Sequence, residues 1–180
     1  MDNSLVSYDH FGKQDVAILD EDGLETCTFL NNFIYTTYGD AAFNTRYTYG
    51  LAALFVYRYF VSQNINLVQR AESGTFITSE EFDLFKRHCS FKMSSENDNT
   101  NILSFAKLSS KNIDNMIYNT QNAEGRVATQ TIKSRLRQLQ YYLEYLYNTF
   151  HSDNLPSTKT EHQYSNIKRI IKRTIRKLKN

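Results

Sequence analysis

The sequence is poor in residues that interrupt helices, because its 180 residues include a single proline and six glycines. Sandwiches and barrels need many tight turns, so this scarcity argues against both architectures and favours helices. The two cysteines, Cys27 and Cys89, are too few for a disulfide framework and are typical of a reducing cytoplasm. No stretch reaches the roughly 20 apolar residues of a membrane span, and the first residues show no secretory pattern, so we expect neither feature.

Residues that could carry chemistry are scattered along the chain. The four histidines lie far apart, and the cysteines do not have the spacing of a zinc site. There is no phosphate-binding glycine loop and no nucleophile elbow. Most of the thirteen tyrosines are expected to line the flanks of helices. The sequence therefore predicts no catalytic residue, no metal and no cofactor.

The formal net charge of +2 conceals an uneven distribution. Residues 156–180 have eight Lys or Arg and one acid (+7), and the remainder has thirteen bases and eighteen acids (−5). The first 45 residues alone have eight acids and one base. Two partners fit this division, because the basic tail can bind a polyanion or the acidic head of another copy. Anionic lipid fits less well, since the tail has no Trp or Phe anchor, and we expect no membrane partner.

The apolar periodicity predicts an all-α fold, a compact bundle of four to five helices with a short extended N-terminal piece and a basic C-terminal helix. The predicted helices cover residues 26–38, 44–63, a segment capped by Thr78, and residues 110–118, 129–150 and 163–179. Residues 1–14 are expected to form an arm, 16–19 an extended segment and 93–101 a linker. We therefore divide the chain into an arm (1–25), a helical domain (26–156) and a basic C-terminal helix (157–180).

The two long helices have distinct apolar patterns. The helix over 129–150 has apolar residues at alternating steps of four and three, which predicts a buried seam of Ile132, Leu136, Leu139, Leu143, Leu146 and Phe150. The helix over 44–63 is expected to bury Tyr47, Leu51, Leu54, Phe55 and Val61, with Gly50 at a close contact. The pattern Thr78-x-x-Glu81 predicts a capping box at the start of the third helix.

Polar and basic residues are concentrated in the first halves of these two long helices. They are Asn44, Thr45, Arg46, Thr48 and Tyr49 in one helix, and Lys133, Arg135, Arg137, Gln138 and Gln140, preceded by Arg126, in the other. Cations and amides near a helix N-terminus suit phosphate oxygens and base edges. A solvated basic face is the alternative interpretation. If the two helices lie side by side, their first halves form one DNA-binding surface.

Three stretches give the chain a resemblance to a known family. They are residues 28–30 with 45–55 (TRYTYGLAALF), residues 128–139 (ATQTIKSRLRQL) with 142–146 (YLEYL), and residues 167–173 (IKRIIKR). Their order and pattern resemble the SAM-like, N-terminal core-binding domain of tyrosine site-specific recombinases, the integrase, Xer and Cre group. In that family this domain and a catalytic domain clamp DNA, and four protomers bring two DNA sites together.

The resemblance implies two sets of functional residues. The DNA-binding set implied by the resemblance is Thr45, Arg46, Tyr49, Lys133, Arg135, Arg137, Gln138 and Tyr141, to which the basic pattern before the helix adds Arg126. The set at the interface between protomers is Ile167, Ile170, Ile171, Ile175, Arg169 and Arg173. The implied partners are a double-stranded DNA recombination site and other copies of the same protein, as a dimer on one site and a tetramer in the synapse.

The resemblance also implies a biological role. The family joins and breaks DNA with an Arg, a Lys, a His-x-x-Arg pair and a nucleophilic Tyr in a separate domain, and no histidine here has arginine three residues later. We therefore expect a non-catalytic, DNA-binding module of a longer recombinase from a mobile genetic element, acting in the bacterial cytoplasm at the nucleoid. The alternative is a helical protein-interaction module whose basic tail docks on an acidic partner without DNA.

Overall fold

The computed structural model describes residues 3–10, 13–91, 126–152 and 156–178, which form a mainly helical fold with an N-terminal β-hairpin. The strands are β1 (Ser4–His10) and β2 (Lys13–Leu19). The helices are α1 (Thr28–Tyr38), α2 (Phe43–Ser62), α3 (Leu67–Glu72), α4 (Ser79–His88), α5 (Thr129–His151) and α6 (Thr158–Lys177). The predicted helical class is confirmed in its coarser form, since the described residues form six helices together with two strands. None of these described helices has both the length and the apolar composition needed to cross a bilayer.

The hairpin corrects the expectation that residues 1–14 form an arm. β1 and β2 pair in antiparallel fashion along their whole length, from Ser4 opposite Leu19 to His10 opposite Lys13. The outer edge of β2 is held by α1, because the Asn31 side chain accepts a hydrogen bond from the Ile18 N–H (2.8 Å) and donates one to the Ile18 carbonyl (3.1 Å). An amide side chain thus takes the place of a third strand at this residue.

A helix start agrees with the prediction where the capping residues are close together in the sequence. Thr78 and Glu81 form the predicted capping box at the start of α4. α5 begins at Thr129 as predicted, but Thr129 is not its cap, since Ala128 occupies the N-cap position. α6 begins before the predicted residue 163, because the Ser157 hydroxyl accepts a hydrogen bond from the N–H of Thr160. The predicted helix over 110–118 and the linker over 93–101 lie outside the described residues.

The core is built around α2, which contacts the hairpin, α1, α4 and α5. Its buried residues point in all directions around the helix axis; they are Arg46, Gly50, Ala53, Leu54, Phe55, Val56, Tyr59 and Phe60. The predicted seam of α5 is confirmed, with Leu136, Leu139, Leu143 and Leu146 buried and its two end residues half-buried. α2 and α5 therefore pack against each other in this core.

Candidate nucleic-acid interface

Contacts with α1 establish the relative direction of α2 and α5. The Tyr38 ring, at the end of α1, packs on Tyr49 of α2 with ring centroids 4.7 Å apart. The Tyr38 hydroxyl exchanges hydrogen bonds of 2.9–3.0 Å with the Gln138 amide of α5. At the other end of α1, Phe29 packs on Phe150 and lines a cavity together with Phe60 from the end of α2. α2 and α5 therefore run in the same direction, and their first halves lie at the same end of the molecule.

We give the name leading-end face to four side chains at this end of the two helices: Thr45 and Tyr49 of α2, and Arg137 and Tyr141 of α5. Each helix contributes two residues four positions apart, which places them on one side of that helix. Thr45 and Arg137 are exposed, Tyr141 is 40% exposed, and Tyr49 is half-buried. Of the other predicted DNA-binding residues, Arg126 is exposed and Lys133 is half-buried near the start of α5.

Tyr38 joins the two halves of the leading-end face. Burial raises the pKa of Tyr38 to about 12 against the opposing effect of the Gln138 hydrogen bond, and the nearby Tyr141 and Tyr49 hydroxyls raise it further. The Tyr38 hydroxyl therefore stays protonated at neutral pH and holds Gln138 in place. The sequence analysis missed this role, and the available indication was a tyrosine at the predicted end of the first helix.

The two helices that form this face contain almost no acidic residues. α2 has no Asp or Glu, and α5 has only Glu144, which pairs with Lys168 of α6 (2.6 Å). The N-cap residue of both helices is an alanine, Ala42 for α2 and Ala128 for α5, and among the described residues no side chain caps either helix. First-turn N–H groups and the positive end of the helix dipole favour anions at such a terminus.

Arg46 was expected to face DNA, but the structure places it in the interior. Its side chain is 8% exposed and lies 3.3 Å from the Asp15 carboxylate. Its guanidinium also donates to the carbonyls of Gly39 and Gln14. The expectation is therefore corrected: Arg46 connects the hairpin to the start of α2. No pattern in the sequence indicated Asp15 as its partner, because the two residues are far apart in the chain.

Arg135 was also expected to bind DNA, and it too is buried, with 7% of its surface exposed. Its guanidinium donates to the carbonyls of Cys89 (2.8 Å) and Phe91 (2.6 Å) and stacks 3.8 Å from the Phe55 ring centroid. Burial lowers the pKa of His88, and the positive charge of Arg135 lowers it further. Arg135 therefore connects the end of α4 to α2, and its assignment to the DNA-binding set is corrected.

Gln138 requires the same correction, because it is 1% exposed and its amide is occupied by Tyr38. The predicted protomer-interface set divides in a similar way. Ile167 and Ile171 are buried in the core of their own chain, so they do not present an apolar surface to a second protomer. Ile170 and Ile175 are half-buried against that core, whereas Arg169 and Arg173 are exposed.

In the part of the chain that the structure describes, no cluster of side chains suited to metal binding or to nucleophilic attack is visible. Within these residues there is no group of three or more His, Cys, Asp or Glu side chains that could hold a metal ion. Burial raises the pKa of the Cys89 thiol to about 12, although Arg135 opposes the effect, so this thiol is not an activated nucleophile.

Comparison of the chain with protein-family models, with curated proteins and with solved structures finds no significant match.

Proposed function

We propose that this chain binds double-stranded DNA through the leading-end face, as the positioning module of a tyrosine recombinase. The observation that supports the proposal is the common direction of α2 and α5, which brings exposed polar and cationic side chains together at one end. The resemblance of residues 45–55 and 128–146 to the core-binding domain suggests the class of enzyme. The proposal assigns no bond-breaking step to these residues, because that family uses a separate domain for cleavage.

The chemistry of the face suits a duplex. A major groove about 12 Å wide admits an α-helix, and guanidinium groups bond guanine edges or phosphates in a bidentate manner. Arg137 is the exposed guanidinium on this face, and Tyr141 and Thr45 add hydroxyl groups to it. The uncapped starts of α2 and α5 add N–H donors for phosphate oxygens. The face therefore combines phosphate binding with contacts that distinguish bases.

The Arg137→Ala variant is expected to raise the Kd for DNA about tenfold, because one bidentate contact contributes about 1–3 kcal/mol. Binding is measured by fluorescence anisotropy with a labelled mixed-sequence duplex about two helical turns long at about 50 mM salt. Arg87→Ala on α4 is the matched control, since Arg87 is also an exposed helical arginine. This control should bind the duplex with wild-type affinity.

Three outcomes of this measurement have definite meanings. Equal losses for Arg137→Ala and Arg87→Ala would mean that binding is diffuse and would contradict an interface at the leading-end face. No binding of any duplex by the wild-type protein, together with capture of an acidic partner, would favour the protein-interaction alternative. Enrichment of one sequence from a randomised duplex pool by the wild-type protein, but not by Arg137→Ala, would support base contacts from α5.

A further inference from the structure

α6 presents a continuous row of cations on its exposed side, which we call the α6 cationic stripe. Its members are Arg169, Lys172, Arg173, Arg176 and Lys177, all of them exposed. The one acid in α6 is Glu161, which is in the first turn. The sixth cation near this row, Lys168, is neutralised by Glu144. The stripe is therefore a surface of positive charge, and α6 has no acidic residue among or between the stripe residues.

The opposite side of α6 is occupied by the protein itself. Tyr164, Ile167 and Ile171 are buried at 7%, 3% and 0% exposure, and the Tyr164 ring stacks on Tyr147 of α5 at 4.0 Å. An amphipathic helix binds lipid by burying its apolar side in the bilayer interface, and that side is not free here. What α6 offers to a partner is the charged side alone, which is the surface that a polyanion requires.

The packing of α6 on α5 places the end of the stripe at the level of the leading-end face along the bundle axis. Tyr164 lies against Tyr147, and Lys168 lies against Glu144, so α6 runs antiparallel to α5. Because the helices are antiparallel, equal steps from the Glu144–Lys168 contact in opposite chain directions reach the same level. Arg137 is seven residues before Glu144, and Ile175 is seven residues after Lys168. Both steps are about 10 Å long. Arg173 and Arg176, which are two residues before and one residue after Ile175, therefore lie close to the level of Arg137 along the bundle.

Three acids of the N-terminal region, Asp15, Asp20 and Glu25, are engaged within their own fold. Asp15 pairs with Arg46, and the Asp20 carboxylate accepts hydrogen bonds from two N–H groups of its own turn. Glu25 accepts hydrogen bonds from the side chains of Thr28 and Asn31. Carboxylates that already have partners make a weaker docking site for a basic helix than the phosphates of a duplex. This favours nucleic acid over a second copy as the partner of the stripe.

We propose that the α6 cationic stripe binds the phosphate backbone of the same duplex that the leading-end face contacts. This inference rests on the proposed function. Arg169 and Arg176 are seven residues apart, about 10 Å along the helix. One DNA strand carries a phosphate about every 3.4 Å of axis, so a surface of this length can neutralise about three phosphates. Its contribution is independent of base sequence and sensitive to salt.

The test is the salt dependence of duplex binding by the Arg173→Gln/Arg176→Gln variant. Each phosphate contact contributes about 0.9 to the slope of log K against log salt, so the slope should become shallower by about 1.8. The affinity at about 50 mM salt should fall about a hundredfold. The matched control is Lys86→Gln/Arg87→Gln on α4, which removes the same charge near the end of another helix. We expect this control to keep the wild-type slope. Circular dichroism checks that each variant retains its helices.

The outcomes separate this inference from the proposed function. If the wild-type protein binds no duplex at low salt, the proposed function fails and the inference fails with it. If the wild-type protein binds and the stripe variant keeps its slope, the inference alone is overturned. If the slope is unchanged but the stripe variant no longer floats with phosphatidylserine vesicles as the wild-type protein does, the stripe is assigned to a membrane surface. If the slope is unchanged and the wild-type protein sediments as a dimer while the stripe variant sediments as a monomer, the stripe is assigned to binding the acidic region of a second copy.

Discussion

Replacing Arg135 with alanine is expected to lower the free energy of unfolding by about 3–5 kcal/mol. The guanidinium of Arg135 is the donor to the carbonyls of Cys89 and Phe91, which follow the last turn of α4. Carbonyls at a helix C-terminus have no partner within the helix, and a cation there also interacts favourably with the helix dipole. Removing the donor leaves two acceptors unpaired and abolishes the stacking on Phe55.

Urea unfolding monitored by circular dichroism measures this loss of stability. Arg137→Ala, two residues along the same helix, is the control, because an exposed substitution of this kind changes stability by less than about 0.5 kcal/mol. Arg135→Lys should recover only part of the stability, since an ammonium group does not reproduce the planar geometry of a guanidinium. If Arg135→Ala keeps wild-type stability but loses duplex binding, the original assignment of Arg135 to the DNA-binding set is right and the structural role is wrong.

The contrast between Arg135 and Arg137 shows the limit of the sequence as a guide to the site. Both residues are basic and lie in the first half of the same predicted helix. Their positions differ by about 200° around the helix axis, so one enters the core while the other faces solvent. The apolar seam of α5 does not show which of its polar residues packs against a buried residue of another helix, as Arg135 does against Phe55 of α2. That information comes from the end of α4, which is remote in sequence.

α2 shows a related limit in the prediction of the core. Its ends were predicted closely, but Tyr47, Leu51 and Val61 were expected to be buried and are 38%, 45% and 48% exposed. A helix that is surrounded by other elements buries residues on every side, so it has no single apolar face for periodicity to detect. The expectation for Gly50 is confirmed, because a Cβ atom there would lie 3.0 Å from the Leu5 side chain of β1.

Residues 16–19 of β2 were predicted to be extended, but β1 and its pairing with β2 were missed for a similar reason. β1 exposes Val6 and Tyr8 and sends Leu5 toward Gly50, so its apolar content is low and its alternation is weak. Its order depends on pairing with β2 and on contacts with α2, which are tertiary interactions. Local patterns therefore predicted five of the six described helices, whereas the short helix α3 (Leu67–Glu72) and the strand β1 were not predicted.

The Arg46→Ala substitution is expected to lower the free energy of unfolding by about 3–5 kcal/mol, because it leaves the carboxylate of Asp15 without its ion-pair partner. The Asp15 side chain is 14% exposed, so water compensates only in part for the lost charge. The carbonyls of Gly39 and Gln14 also lose a donor, which loosens the hairpin from the start of α2. Since α2 contributes Thr45 and Tyr49, duplex binding should weaken together with stability.

A double-mutant cycle separates the ion pair from simple packing at this position. Arg46→Met/Asp15→Leu removes both charges and keeps apolar bulk, and replacing a buried ion pair in this way is often neutral or stabilising. The double variant should therefore be more stable in urea than Arg46→Met alone, with a coupling energy of about 1–3 kcal/mol. Additive effects of the two substitutions would show that Arg46 and Asp15 do not act as a pair. Because Arg46 is buried, restored stability in the double variant should restore duplex binding as well, whereas binding that stays lost would mean that the Arg46 guanidinium contacts DNA directly.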